Sequence, residues 1–270
     1  MQMIEQHISA EHLLYLRKRR LNAFLVRGAQ LLLLIGLFWL WEVAASRGWI
    51  NAFIFSQPTR IWTALIRLAT EGDLWRHLGY TVGETALGFT VGTAAGILIA
   101  VVLWWSEFFS KVMDPYIVVL NSVPKVALGP IFVVWLGTTI TAVVAMAISV
   151  SIIVTIMMMH TGFKEVDPNK VKVVRTFGAS KGQVLWKVII PASIPTMIAA
   201  LKVNVGLSLV GTIVGEFLAS KAGLGYLIVY GGQVFNMSLV MASVLLLLVV
   251  SVILYYAVVF LEERVTKGRA

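Results

Sequence analysis

Six stretches of this sequence are long and apolar enough to cross a lipid bilayer, which removes most folds from consideration. They run over residues 29–46, 80–105, 112–136, 140–162, 194–219 and 239–261. A spanning helix needs about 20 mostly apolar residues. With no water in the hydrocarbon core to satisfy the backbone, such stretches must be helical. Hydrophobic residues make up 59% of the chain and charged residues 13%, against about 45–50% and 25% in soluble domains. The mean hydropathy is +0.89. There is too little polar surface to cover a core in water, so the expected fold is an all-α integral membrane protein with six transmembrane helices.

The third stretch carries Pro115, Pro124 and Pro130. It reads as one kinked span, because neighbouring helices can satisfy the carbonyls that proline frees; two shorter apolar pieces are the other reading. The net charge of +9 is the excess of Lys and Arg that membrane proteins keep on the cytoplasmic side, not a nucleic-acid-binding surface, since the charges fall between the apolar stretches. With the N-terminus inside, 15 of the 22 basic residues lie on the cytoplasmic side, among them Arg17 to Arg20 and six from Lys164 to Lys187. Only Arg47, Arg60, Arg67, Arg76 and Lys221 fall outside. Both termini are therefore expected on the cytoplasmic side of the membrane. The first 20 residues have no apolar region ahead of their basic cluster, so a retained first span is expected rather than a cleaved signal.

The expected organisation is a cytoplasmic N-terminal tail (1–28), a first span (29–46), an external loop (47–73), a core (74–262) and a cytoplasmic C-terminal tail (263–270). The external loop carries an amphipathic helix over Thr59–Thr70, with Ile61, Trp62, Leu65, Ile66 and Ala69 on one side. There is no cysteine, which excludes disulfides, thiolate metal sites and a cysteine nucleophile. The histidines, His7, His12, His77 and His160, assemble no catalytic set with serine and carboxylate, so the chain is not expected to be an enzyme. The run Met157 to Met159 before His160 points around a helix rather than to one side, and no metal site is expected.

The long polar stretch over 164–193 carries the most information. Asp167 before Pro168 is a helix start, a carboxylate cap followed by proline in the first turn. Gly178 stops that helix, as a residue able to adopt positive φ. Ser180, with Gln183 three residues on, opens another through a capping box. Pro191 and Pro195 then end it before the next span. The expected result is two short helices about a glycine hinge at the membrane surface, a knob able to pass a push to the spans on either side.

Here the chain resembles the permease subunits of ATP-binding-cassette (ABC) importers, the binding-protein-dependent, type I family. Those permeases carry a loop with the pattern E-A-A, three residues, G, nine residues, I-x-L-P. This sequence has Gly178, nine residues, then Val188-Ile-Ile-Pro191. The runs Phe177-Gly-Ala179-Ser180, Pro124-Lys-Val-Ala-Leu-Gly-Pro130, Trp135-Leu-Gly137 and Gly223-Leu-Gly225 look like its sulfonate, nitrate and taurine branch. The resemblance covers about 74–261. One departure is that Lys172, Val173 and Val174 stand at the E-A-A positions. The resemblance implies that Asp167, Lys172, Phe177, Gly178, Ala179, Ser180, Val188 and Pro191 form a coupling loop for a separate ATPase. It implies a second permease copy in a homodimer, two ATPase subunits, an extracytoplasmic substrate-binding protein and a small solute, such as a sulfonate, nitrate, taurine or bicarbonate. No cofactor is expected in this chain. It has no Gly-x-x-x-x-Gly-Lys-Ser/Thr phosphate loop, so ATP and Mg would be bound by the partner ATPase.

Charged and polar residues within spans are costly and need an account. Lys125 either faces a watery pathway and attracts an anion, with Asn121 one turn before it, or is held in an ion pair or at the outer surface by the proline kink. Asn204, Ser208 and Glu216 are the other pathway candidates, although Glu216 reads more readily as a cap or bridge. Glu42 and Glu84 are expected at the outer interface. Gly88, Gly92 and Gly96, with Gly211 and Gly215, form small-residue stripes that favour close helix packing within one subunit over a dimer contact. The rival function is an ion-driven secondary transporter or channel. It would need a relay of buried carboxylates and would leave the helix-glycine-helix loop without a purpose.

Overall fold

The computed structural model describes residues 10–266. His7, Lys267 and Arg269 lie outside the described residues. The chain divides into two units, 1–63 and 64–270. Within the first, α1 (Ala10–Ser46) ends at Gly48 with φ +73°, and α2 (Ala52–Phe55) is capped by Asn51. The helix α3 (Pro58–Thr70) carries the expected amphipathic segment. The Glu42 carboxylate accepts the Thr59 backbone N–H at 3.0 Å and its hydroxyl at 2.8 Å, so it caps the start of α3. Helix α1 begins well before the expected span, because Lys and Arg are good helix formers and a helix need not end where its apolar part does.

The second unit is built on α4 (Leu74–Trp105), α7 (Ile140–Lys164) and α11 (Ile194–Ala219). Helices α4 and α7 run side by side in the same direction. A Cβ added at Gly92 would come within 2.5 Å of Ser151 Oγ, and one at Gly96 within 2.6 Å of Thr155 Cβ. Helix α11 runs the opposite way along α7: a Cβ at Gly211 would reach 2.6 Å from the Ala147 Cα, and one at Gly215 2.8 Å from the Val143 Cα. Ala147 is clamped between Gly88 and Gly211 and is fully buried. Both glycine stripes are thus used inside the subunit, where the absence of side chains lets backbones approach.

The third span is broken. Helix α5 (Glu107–Ser122) and helix α6 (Gly129–Leu136), which follows a 3-10 turn over Lys125–Leu128, meet at 89°. Pro124 biases Val123 to extended backbone (φ −65°, ψ 130°), and Pro130 starts α6. The pair crosses the bundle and does not turn back. Ser110 near the start of α5 lies 3.0 Å from His160 at the end of α7, while Gly129 at the start of α6 packs on Leu218 at the end of α11. Counted with this bent pair, the described residues hold six candidate spans.

Two short helices, α8 (Pro168–Thr176) and α9 (Lys181–Val184), follow α7. The second does not end at Pro191. A π turn over Leu185–Ile189 carries it into α10 (Ile190–Ala192). Pro191 cannot donate into the helical ladder, and a widened turn is the usual local remedy. Helix α12 (Leu224–Gln233), absent from the sequence reading, and α13 (Met237–Thr266) complete the unit. Lys202 on α11 pairs with Glu262 on α13 at 2.6 Å, so α13 ends at the same face of the bundle that carries α8 and α9.

Candidate functional site

The segment from Asp167 to Pro191 forms the elbow that local chemistry dictates. The Asp167 side chain accepts the Asn169 N–H at 2.8 Å, and Pro168 occupies the first turn. Gly178 has φ +79° and nothing within 4 Å of an added Cβ, so its conformation, not crowding, calls for glycine. Ser180 and Gln183 form a reciprocal capping box, at 2.8 and 3.3 Å.

One side of the elbow is fixed to the bundle. Val184, Leu185 and Ile189 are buried against Ala100, Met159, Phe163 and Ala200, the neighbouring ends of α4, α7 and α11, with Ala179 and Val188 packed at the edge of this cluster. The Ser193 hydroxyl donates to the Gly162 carbonyl at 3.2 Å. The Lys181 ammonium lies 5.9 and 5.7 Å from the ring centres of Trp104 and Trp105, a cation–π anchor to the end of α4. The other side is open. Phe177 is 86% exposed, Trp186 70% and Val173 55%. Lys170, Lys172 and Arg175 surround them and are also exposed. Lys172 has no ion pair among the described residues, and the elbow keeps its shape with a base at that position. A rigid elbow with apolar side chains and cationic neighbours outward is suited to dock a partner and transmit its movement to three helices together.

The expected pathway residues lie in two places, Asn121 and Lys125 at the end of α5 and Asn204, Ser208 and Glu216 along α11. The Lys125 ammonium folds back on the Asn121 carbonyl, capping the C-terminal end of α5 beside the 89° break. Asn204 and Ser208 are buried among α4, α7 and α11. The Asn204 amide donates to Thr155 Oγ1 at 2.5 Å and approaches Thr93 Oγ1 at 3.4 Å. Glu216 caps: its carboxylate accepts the Thr81 hydroxyl at 2.6 Å and the Gly225 N–H at 2.5 Å. The Leu224 N–H donates to Thr81 Oγ1 at 2.8 Å and the Gly223 N–H to His77 Nδ1 at 3.0 Å. Three orphan donors at the start of α12 are thereby satisfied by side chains from α4 and α11. Glu84 departs from its expected interfacial position: it is 3% exposed and sits in the core beside Glu216.

Two hollows open at the end of the bundle away from the elbow. One, about 390 Å³, is lined by Arg76, Tyr80, Thr138, Thr139, Thr141, Ser220 and Lys221 among others. The other, about 430 Å³, is lined by Trp75, Arg76, Gly79, Tyr80, Gly83, Glu84, Leu87 and Ile140. Their shared residues, Arg76, Tyr80 and Ile140, join them. The sequence reading missed them because their walls come from α4, α7 and the turn after α11, which only the fold brings together.

Comparison with known proteins places this arrangement. Residues 92–267 match the family described as "Binding-protein-dependent transport system inner membrane component". A probable ABC transporter permease protein of Haemophilus influenzae is 28% identical over 234 residues, covering 86% of this chain and 95% of that protein. The putative aliphatic sulfonates transport permease protein SsuC of Bacillus subtilis is 28% identical over 231 residues, covering 85% of this chain and 83% of that protein. The fold is shared with a bacterial ABC transporter involved in the import of the acidic polysaccharide alginate, at a TM-score of 0.63 and 17% identity, over 93% of this chain and 99% of that one.

Proposed function

From the premise that this chain belongs to the family of binding-protein-dependent transport system inner membrane components, and so is the permease of an ABC importer, we propose that it carries a small oxyanion, a sulfonate above all, through a pathway driven by a separate ATPase. The observation that carries the coupling half of this reading is the elbow about Gly178, anchored by Lys181 and Leu185 and exposing Phe177 and Trp186. It faces the cytoplasm, as do both termini, and docks on an ATPase subunit that binds ATP and Mg. Two permease copies, two ATPase subunits and an extracytoplasmic binding protein make up the assembly. Closure of the ATPase pair draws the two elbows together, and the helices they grip rock as rigid bodies.

The substrate half is supported by the outer hollow, where Arg76 and Lys221 stand among the hydroxyls of Thr138, Thr139, Thr141 and Ser220, and by the name of the Bacillus subtilis relative. Cationic and hydroxyl donors attract and orient an oxyanion. The test is uptake into liposomes holding this chain, with its ATPase and binding protein added in turn. Sulfonate uptake is expected only when both are present and ATP is on the elbow side. Uptake by this chain alone, or driven from the opposite side, overturns the reading.

A further inference from the structure

Hydroxyl groups in the spans of this protein follow a common habit. Thr90 donates to the Ala86 carbonyl, Ser122 to Val118, Ser151 to Ala147, Thr155 to Ser151 and Ser243 to Leu239. Each thereby satisfies itself on its own helix, four residues back. Thr85, Ser208 and Thr212 break the habit. All three are at most 1% exposed, and none of their hydroxyl oxygens has a hydrogen-bond partner.

These exceptions share one seam. Helices α4 and α11 run antiparallel, and two contacts fix their register: Thr81 with Glu216 and Thr93 with Asn204. One turn inward from the first pair, the same register sets Thr85 opposite Thr212. Ser208 follows one further turn along α11, and Asn204, whose Oδ1 also lacks a partner, one turn beyond that. Glu84 lies on the same face of α4 with its carboxyl in hydrogen-bond contact with that of Glu216, and its oxygens meet no donor from any other side chain or the backbone. Buried polar atoms without partners are rare, and a bound water or ion is one of the few things that accounts for a group of them on one seam. A carboxylate inside a membrane span calls for a compensating charge.

The chemistry of the cluster selects its ligand. Glu84, Glu216, Thr85 and Thr212 offer oxygen only, the donor set of hard cations. Glu216 already receives Thr81 and the N-terminus of α12, whereas Glu84 receives neither. Arg76, the nearest cation along α4, stands about two turns outward of Glu84. Access comes from the 430 Å³ hollow, which Glu84 lines and where Gly79 and Gly83 leave open space above it. We propose that Glu84, Glu216, Thr85 and Thr212 form a monovalent-cation site, for sodium or potassium, in the seam between α4 and α11. The cation holds the outer half of that seam together. The site does not depend on the transported solute or on the ATPase.

The test uses the full chain in lipid nanodiscs, with thermal unfolding followed in sodium, potassium or choline chloride at equal ionic strength. A saturable rise in Tm with sodium or potassium over choline is expected, together with equilibrium binding of radioactive sodium. Both are expected to be lost in E84Q. The isosteric variants T85V and T212V, which keep the packing, are expected to weaken the salt response while leaving the Tm in choline near that of the parent. Equal Tm values in all three salts with no retained sodium overturn the site. So does a Tm that follows pH alone, because a proton shared between the two carboxyls would then occupy the position.

Discussion

The carboxylate of Glu216 lies 2.5 Å from the backbone nitrogen of Gly225, so a side chain from one helix supplies the N-terminal cap of the next. The Gly223-Leu-Gly225 turn is shaped around that carboxylate. Gly223 takes φ +113°, and a Cβ at Gly225 would stand 2.8 Å from Glu216 Oε2. G225A is expected to destabilise the protein by about 1–3 kcal/mol through overpacking, read as a lower Tm. E216Q keeps the volume and one acceptor and is expected to cost less than E216A, which leaves the Gly225 N–H without its partner.

At Gly178 the constraint is conformational. Its φ of +79° costs a β-branched residue about 1–2 kcal/mol, whereas Asn tolerates that region. G178V is expected to let ATP hydrolysis continue with little transport in the reconstituted importer, and G178N to retain much more of the coupling. The ratio of solute moved to ATP hydrolysed measures the difference. Unchanged uptake in G178V would remove the elbow from the mechanism.

Phe177 and Trp186 face outward, 86% and 70% exposed. Truncating either to Ala is expected to leave the unfolding of the isolated permease unchanged. As apolar anchors in a docked interface they are expected to contribute about 2 kcal/mol each, roughly 30-fold in affinity for the ATPase. Pull-down of the ATPase at graded concentration reads this out; full affinity in the double variant would place the docking surface elsewhere.

Ala147 has no room to grow, with Gly88 on one side and Gly211 on the other. A147L is expected to force α4 and α11 off α7 and to lower the yield of folded protein. G88A or G211A is expected to do the same to a smaller degree, since each presses on α7 from one side only. Size-exclusion profiles in mild detergent distinguish the series.

What could be read from sequence was local. The Asp167–Pro168 start, the Gly178 stop and the Ser180–Gln183 box each lie within a few residues, and the structure shows all three. What could not be read depends on which way a helix faces. The spans are apolar on nearly every side, so they carry no stripe to distinguish core from lipid. Depth along a helix was therefore legible and rotation was not. Depth alone puts Glu84 at the interface, while its rotation buries it beside Glu216. Asn204 and Ser208 turn toward neighbouring helices. Helix α12 escaped notice because its cap comes from His77, Thr81 and Glu216, residues distant in sequence or on other helices. The sharp bend between α5 and α6 was signalled by Pro124 and Pro130, but its size was not.

The clamp on Ala147 also limits how this subunit can deform. Three rods interlocked through bare backbone cannot slide past one another without first separating, and nothing soft lies between them to absorb shear. A push on the elbow therefore acts on the three as a unit. The joint in the unit is the bend between α5 and α6, with α5 tied to α7 through Ser110 and His160 and the start of α6 seated on α11 through Gly129 and Leu218. The subunit behaves as a stiff beam with one articulated limb.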